Sequence, residues 1–171
     1  MVIWFTGLPS SGKSTLAEKV ADRLRSGGRT CVVLDGDAVR AALVPAPGYT
    51  PQARDAFYAT LARLAALISA QGVVVLVPAT AHLKRYREEA RTLVPAWVEV
   101  YVRTDLEECR RRDAKKLYAA AQSANASGMP GVDVEYQIPE APDVLAEGGH
   151  DAAAVEAIVR RVELHAPARG G

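Results

Sequence analysis

Residues 7–15 read GLPSSGKST and combine glycines, small hydroxyl residues and one lysine at a fixed spacing. Gly7, Gly12, Lys13 and Ser14 fill the pattern G-x-x-x-x-G-K-[ST], in which backbone N–H groups curl around a phosphate and the lysine reaches its outer oxygens. Glycine allows the close approach and the unusual dihedral angles that such a loop needs. An apolar run precedes the stretch and a helical pattern follows it, so a helix N-terminus would also face the phosphates. This context favours a nucleoside triphosphate site over a Gly/Ser turn that merely opens a helix.

A second stretch, LDGDAVR at residues 34–40, places two carboxylates one residue apart. Asp35 and Asp37 follow an apolar run, and ligands of open parallel sheets bind where strands end. Residues 78–80, which follow the next run, contain no acid. The pair is therefore the candidate for holding Mg²⁺ and for meeting the hydroxyl of an acceptor. An ordinary turn is the alternative, because Asp and Gly also build turns.

Four short apolar runs predict buried strands of a parallel sheet. They lie at residues 2–6, 30–34, 73–77 and 98–102. Segments with helical spacing separate them, and this alternation predicts an α/β fold with right-handed crossovers. Residues 123–149 show no clear period and are expected to form a functional loop or a flexible connection.

The helical segments have recognisable ends. The first is predicted to end at the glycine pair of residues 27–28, and a long helix begins near Thr50. Asp105 is expected to cap a short helix over residues 106–112. A last amphipathic helix is predicted over about residues 151–165.

Composition excludes several classes of partner. The chain has 171 residues, which suits one domain, and its 21 Lys and Arg against 20 Asp and Glu leave a net charge of +1. This balance gives no field for binding nucleic acid or a membrane surface. Cys31 and Cys109 lack metal-ligand spacing and are expected to be inert thiols. No run approaches the roughly 18 apolar residues of a membrane span, and we expect a cytoplasmic protein.

Together these motifs resemble those of the adenylylsulfate kinases, which phosphorylate the 3′-hydroxyl of adenosine 5′-phosphosulfate (APS) to give PAPS. The resemblance runs from GLPSSGKSTLA through LDGDAVR, GYTPQARD and VEVYVRTDLEECRRRDAKKLY to GVDVEYQIPEAPD. It implies a three-layer P-loop kinase fold with a parallel five-stranded sheet, ATP as donor, Mg²⁺ and commonly a homodimer. It further implies a single P-loop kinase domain over residues 1–171, with a helical lid at about residues 105–149.

The resemblance also assigns roles on the donor side. The phosphates of ATP would be bound by Gly7, Ser10, Ser11, Gly12, Lys13, Ser14 and Thr15. Asp35 would hold Mg²⁺ through water beside the Ser14 hydroxyl, and Asp37 would take the proton of the attacking hydroxyl, although these two roles could be exchanged. Lys13 joins the two aspartates as a catalytic candidate. Arg112 and Asp113 match the pair that borders the donor adenine, and Lys115 lies in the lid.

On the acceptor side, Arg40 and Arg54 match the arginines that grip the phosphosulfate, as bidentate cations suit oxyanions. Tyr49 stands where the family has an aromatic residue in the acceptor pocket. Phe57 and Met129 are further candidates for contact with the acceptor, although each replaces a different residue type of the family.

The departures from the family pattern cluster around this acceptor pocket. The family's R-x-x-N-I-R-R reads RDAFYAT at residues 54–60, so Phe57 replaces an asparagine and the following arginines are lost. Ala81 replaces a serine often described as a phosphorylated intermediate, which leaves direct transfer to the substrate hydroxyl as the simple mechanism. Ser127 and Met129 replace a lysine and a phenylalanine of the lid.

These departures keep a second function open. A kinase of the same branch acting on a different nucleotide or small-molecule hydroxyl would retain the donor residues and change the acceptor contacts. A nucleotide-binding module without activity is a third hypothesis, against which the intact Lys13, Ser14, Asp35 and Asp37 argue. His82, just after the third apolar run, is expected at the surface or at a helix start rather than in the reaction.

Overall fold

The computed structural model describes residues 1–112 and 128–165. Its strands are β1 (Val2–Thr6), β2 (Cys31–Val33), β3 (Val74–Pro78), β4 (Trp97–Arg103) and β5 (Val144–Glu147). They form one parallel sheet of five strands in the order β2-β3-β1-β4-β5 within these residues. Its helices are α1 (Lys13–Ser26), α2 (Gly36–Ala42), α3 (Pro51–Ser69), α4 (Lys84–Thr92), α5 (Leu106–Arg111) and α6 (Ala152–Leu164). The predicted α/β fold is confirmed.

The central strand β1 divides the core into two apolar layers. Ile3 and Phe5 pack with α1 and α6 on one face of the sheet. Val2 and Trp4 pack with α3 and α4 on the other face. Successive side chains of a strand point to opposite faces, so a strand covered on both sides must be apolar throughout. The three-layer arrangement follows from this covering.

Two strand predictions need correction. The run at residues 30–34 was expected to be fully buried, but β2 is only half-buried because it lies at the edge of the sheet. Residues 123–149 were expected to be a loop or a flexible connection, yet Val144–Glu147 forms the opposite edge strand β5. The strand was missed because its alternation of buried and exposed residues extends over only four positions. Hydrogen bonding to β4, rather than the local sequence, stabilises its extended conformation.

Side-chain caps begin two of the predicted helices. Thr50 Oγ1 accepts a hydrogen bond from Ala53 N, and Asp151 Oδ1 accepts one from Ala154 N. Asp105 occupies the cap position of α5 as predicted, but its side chain makes no capping hydrogen bond. Two glutamates instead place negative charge in the first turn of that helix.

Residues 128–143 contact the carboxyl ends of β1 and β3. The Tyr136 hydroxyl lies 2.8 Å from Thr6 Oγ1, at the end of β1. Gln137 N donates to the carbonyl oxygen of His82, just after β3, at 2.8 Å. The segment therefore closes one side of the edge at which a ligand of this fold would bind.

Arg87 of α4 holds this closure from the interior, since its side chain is only 3% exposed. Its guanidinium donates to Glu99 Oε1, to Ala81 O and to Gln137 O at 2.7–2.8 Å. Burial raises the pKa of Glu99, and the charge of Arg87 opposes that shift. Loss of Arg87 would leave a largely buried carboxylate, 16% exposed, and two carbonyl groups without this partner.

The substitution Arg87→Ala should lower the free energy of unfolding by about 3–5 kcal/mol in a urea titration, because it breaks a buried ion pair. The matched control is Lys84→Ala on the same helix, where the side chain is 49% exposed and pairs with Glu140. This control should cost less than about 1 kcal/mol. Equal losses in the two variants would contradict the structural role of Arg87.

Candidate active site

The loop after β1 brings glycine backbone against its neighbours more closely than a side chain would permit. A Cβ atom at Gly7 would lie 2.5 Å from Val102 O, and one at Gly12 would lie 2.6 Å from Gly149 N. Gly12 also has a φ of 98°, which L side chains rarely adopt. Thr104 Oγ1 donates to Ser11 O at 3.0 Å and fixes the loop from the end of β4.

Polar groups of this loop converge as phosphate binding requires. Lys13 is nearly buried, and its Nζ donates to Gly7 O at 3.0 Å and to Leu8 O at 2.7 Å. The Ser11 hydroxyl is buried and has no hydrogen-bond partner within the described residues. A cradle lined by N–H groups, one ammonium and one unpaired hydroxyl fits the phosphates of a nucleotide.

Asp35 joins the loop to the second strand. Ser14 Oγ donates to Asp35 Oδ2 at 2.5 Å, while Asp35 Oδ1 accepts from Asp37 N and Ala38 N at 3.0 and 3.2 Å. The turn and the metal hypotheses for LDGDAVR are thus compatible, because one carboxylate oxygen caps α2 and the other meets Ser14. A hydroxyl and a carboxylate are hard oxygen ligands that fit Mg²⁺.

Two arginines are buried close to the carboxylate pair in the sequence, one on α2 and one on α3. Arg40 and Arg54 are 8% and 7% exposed, and neither pairs with a carboxylate among residues 1–112 and 128–165. Arg40 Nη1 donates to Pro47 O and Gly48 O at 3.1 and 2.8 Å, and Arg54 Nη2 donates to the carbonyl of Gly128. Buried cations normally have an anionic partner, so this geometry favours an anionic ligand.

Aromatic rings hold Arg40 in place. Its guanidinium carbon lies 3.7 Å from the ring centre of Phe57 and 4.6 Å from that of Tyr49. Phe57 is 3% exposed, so its ring supports Arg40 from the interior, whereas Tyr49 is 62% exposed and available to a ligand. Cation–π contacts of this kind fix the orientation of a guanidinium.

The remaining predicted site residues lie in different surroundings. Met129 is buried against Cys109, with Leu8 and Leu106 beside it, in a small apolar cluster. Arg112 is the C-cap residue of α5 and pairs with Glu108. A Cβ atom at Gly148 would lie 3.6 Å from Arg112 Nη1, so Arg112 lies beside the Gly148–Gly149 turn, which contacts the phosphate loop at Gly12. Asp113, Lys115 and Ser127 lie outside the described residues.

His82 was expected at the surface or at a helix start. It directly precedes Leu83, the N-cap residue of α4, but is only 4% exposed. Its ring lies 5.5 Å from that of Tyr86 and 6.5 Å from that of Tyr58, and Nδ1 has no partner in the part of the chain described. Burial, followed by the charges of Arg54 and two further arginines, lowers the pKa of His82 to about 4. The helix-start alternative is therefore confirmed and the surface alternative is wrong, because Tyr58 of α3 and Tyr86 of α4 pack against the ring.

Sequence reasoning also missed Tyr58 and the Gly148–Gly149 turn. Tyr58 is buried, and its hydroxyl accepts a hydrogen bond from Ala81 N at 2.9 Å. Ala81 itself is fully buried and has a φ of 41°, an uncommon value for a residue with a side chain. Of these two features, only the Gly148–Gly149 turn could have been predicted from the sequence, since adjacent glycines mark a turn or a close backbone approach.

The central phosphate loop, the parallel sheet and the carboxylate pair at the end of β2 together define a P-loop kinase. No helix of the described ranges has the length and apolar character to cross a membrane.

Comparison with known proteins narrows this class. The adenylylsulphate kinase family model matches residues 1–147. An adenylyl-sulfate kinase of Picosynechococcus sp. is 37% identical over 144 residues, which cover 84% of this chain and 81% of the relative. One of Paraburkholderia xenovorans is 40% identical over 147 residues, covering 85% and 82%. The chain belongs to the adenylylsulfate kinase family.

A solved structure agrees with this assignment. The Mycobacterium tuberculosis APS kinase in complex with AMPPNP and APS matches with a TM-score of 0.85 at 34% identity. The match covers 95% of this chain and 96% of that chain. The predicted family, the fold class and the kinase activity are thereby confirmed.

The substitution Gly12→Ala should abolish ATP binding, because a Cβ atom there meets the Gly149 backbone at 2.6 Å. Isothermal titration with ATP measures this loss. Gly28→Ala is the matched control, since Gly28 also has a positive φ, 76°, but has nothing within 4 Å of its Cβ position. The control should retain ATP affinity, and a Gly12→Ala protein that binds ATP normally would refute the close-approach argument.

His82 should make stability depend on pH. Its folded pKa is about 4 against an ordinary 6.5, so the unfolded chain takes up a proton first as the pH falls. Stability is therefore full above about pH 6.5 and decreases toward pH 4, by about 1–2 kcal/mol between pH 7 and pH 5. Urea titrations of wild type and His82→Gln should show that this part of the pH dependence is lost in the variant.

The control for this experiment is His150→Gln, which changes an exposed histidine. It should leave the wild-type pH dependence unaltered. A His82→Gln protein with the same pH dependence as wild type would show that His82 does not titrate in this range.

Proposed function

We propose that this chain transfers the γ-phosphoryl group of ATP to the 3′-hydroxyl of APS and produces PAPS. Family membership supports the reaction, and the buried cations Arg40 and Arg54, unpaired with acids in the described residues, carry the acceptor assignment. A phosphosulfate would supply the anionic partner that these two guanidinium groups do not have among the described residues. No observation favours a different hydroxyl as acceptor.

On the donor side, residues 7–15 would bind the triphosphate, with Lys13 neutralising the charge that develops during transfer. Ser14 and Asp35 would hold Mg²⁺, because their oxygens already lie 2.5 Å apart. The ion, when bound, supplies Lewis-acid stabilisation of the phosphate oxygens. Arg112 and Asp113 would border the adenine of ATP, and Lys115 would act from the lid.

On the acceptor side, Asp37 would accept the proton of the attacking hydroxyl. Asp35 is committed by both oxygens to Ser14 and to the start of α2, which supports Asp37 rather than Asp35 as the base. Ala81 has no hydroxyl to phosphorylate, so transfer proceeds directly in line from ATP to the acceptor. Tyr49 would contact the acceptor base, whereas Phe57 would act by holding Arg40. Met129 would reach the acceptor only if its apolar cluster opened.

The family also supports statements about organisation. We propose a single P-loop kinase domain over residues 1–171, a lid at about residues 105–149 apart from the sheet strand β5 (Val144–Glu147), a homodimer and a cytoplasmic location. Size-exclusion chromatography coupled to light scattering would test the dimer.

An ATP-consumption assay with and without APS tests the activity. Release of ADP that depends on APS, together with PAPS identified by mass spectrometry, is the expected result. Binding of ATP without turnover, or turnover with another hydroxyl but not with APS, would overturn the proposal.

Asp37→Asn should lower kcat by about 10²–10⁴-fold, the usual contribution of a general base, while the affinity for ATP is retained. Steady-state kinetics and ATP titration measure the two effects. Asp35→Asn is the comparison variant and should raise the Mg²⁺ concentration needed for half-maximal rate. Normal turnover in Asp37→Asn would remove the base assignment.

A further inference from the structure

The hydroxyl of Tyr58 is held rigidly at the end of β3. Tyr58 lies four residues after Arg54 on α3, so the two side chains share one face of the helix. Its ring stacks on Tyr86 with ring centres 4.4 Å apart, and the Phe57 ring meets its edge at 5.3 Å. The hydroxyl oxygen accepts the 2.9 Å hydrogen bond from Ala81 N. Neither the ring nor the oxygen can move without disturbing this packing.

The proton of this hydroxyl has no acceptor among residues 1–112 and 128–165. A tyrosine hydroxyl can accept and donate at once, and the bond from Ala81 N uses only the oxygen. Burial raises the pKa of Tyr58 above its ordinary value, so the proton is retained at neutral pH. A buried donor without an acceptor is uncommon and calls for a partner.

The residues packed beside Tyr58 indicate where the missing acceptor lies. Arg54 precedes Tyr58 by one helical turn, and the Phe57 ring, whose centre lies 5.3 Å from that of Tyr58, is 3.7 Å from the guanidinium carbon of Arg40. The charges of Arg40 and Arg54 lower the pKa of Tyr58 and that of Asp37 raises it, which agrees with this proximity. These are the groups to which the proposed function assigns the phosphosulfate and the attacking hydroxyl. The O–H of Tyr58 therefore belongs to a side chain that lies on the same helix face as Arg54 and one ring away from Arg40.

We propose that Tyr58 is an additional acceptor-binding residue, whose hydroxyl donates a hydrogen bond to an oxygen of the bound nucleotide phosphosulfate. This inference rests on the proposed function and adds a contact that the family pattern does not contain. The family's R-x-x-N-I-R-R has isoleucine where this chain has Tyr58, and it has serine where this chain has Ala81. A hydroxyl is lost at position 81, and another reaches the same backbone from position 58.

The test compares two single-hydroxyl deletions within one aromatic stack. Tyr58→Phe removes the proposed contact, whereas Tyr86→Phe removes the neighbouring hydroxyl, which donates to Asp55 Oδ1 at 2.6 Å. Tyr58→Phe should raise the KM for APS about tenfold or more, as expected for a hydrogen bond to a charged group, without changing the KM for ATP. Tyr86→Phe should leave both KM values within about twofold of wild type, because its hydroxyl already has a protein partner.

A structural role alone predicts a different pattern. If Tyr58 only supports Ala81, then Tyr58→Phe lowers the melting temperature and leaves the KM for APS like that of Tyr86→Phe, which overturns the inference. A crystal structure of the wild type with APS and a non-hydrolysable ATP analogue provides the second measurement. An APS oxygen at about 2.6–2.9 Å from the Tyr58 hydroxyl supports the contact, and a separation too long for a hydrogen bond overturns it.

Failure of the proposed function is distinguishable. A wild type that binds ATP but neither binds nor phosphorylates APS overturns the proposed function and this inference together. An active wild type whose Tyr58→Phe variant has an unchanged KM for APS overturns the inference alone.

Discussion

The close contact between the backbones of Gly12 and Gly149 is the constraint on which the rest of the site depends. It fixes the loop after the central strand against the turn after the edge strand β5, although these residues are far apart in the sequence. The position of α1 and its first hydroxyl, Ser14, follows from that contact. Ser14 in turn donates a hydrogen bond to Asp35, so the phosphate loop and the start of α2 are joined at one edge of the sheet.

The buried arginines have two kinds of surroundings. Arg87 is buried with a complete set of protein partners, and this set makes it part of the scaffold. Arg40 and Arg54 are nearly as buried but contact only backbone carbonyls and aromatic rings in the described residues. Such groups are costly to bury without an anion, and the proposed acceptor would recover that cost. The contrast separates a structural arginine from two to which the proposed function assigns a ligand.

The region that the proposed function assigns to the acceptor is filled by aromatic residues. Phe57 replaces a polar residue of the family, and its ring packs against the guanidinium of Arg40. Arg40 is thus held in place, although the family arginines that follow position 57 are lost. Tyr58 places a hydroxyl beside Ala81, and with no serine at position 81 the proposed function uses direct transfer from ATP. On this proposal the departures preserve the chemistry while they change the contacts.

Local pattern determined much of this protein. The spacing of GLPSSGKST, the apolar run before it and the cap at Thr50 are set by residues within a few positions of one another, so the sequence alone predicted β1, the phosphate loop and the start of α3. The proximity of Ser14 and Asp35 could also be predicted, because the carboxyl ends of parallel strands lie at one edge of the sheet.

Only the tertiary structure decided the remainder. Strand β5 is ordered by pairing with β4, and the burial of His82 results from α3 and α4 closing over it. The stack of Arg40 on Phe57 and the hydrogen bond from Ala81 to Tyr58 join segments whose sequences contain no sign of each other. Propensity and periodicity act over a few residues, whereas burial and charge pairing depend on which distant segments the fold brings into contact.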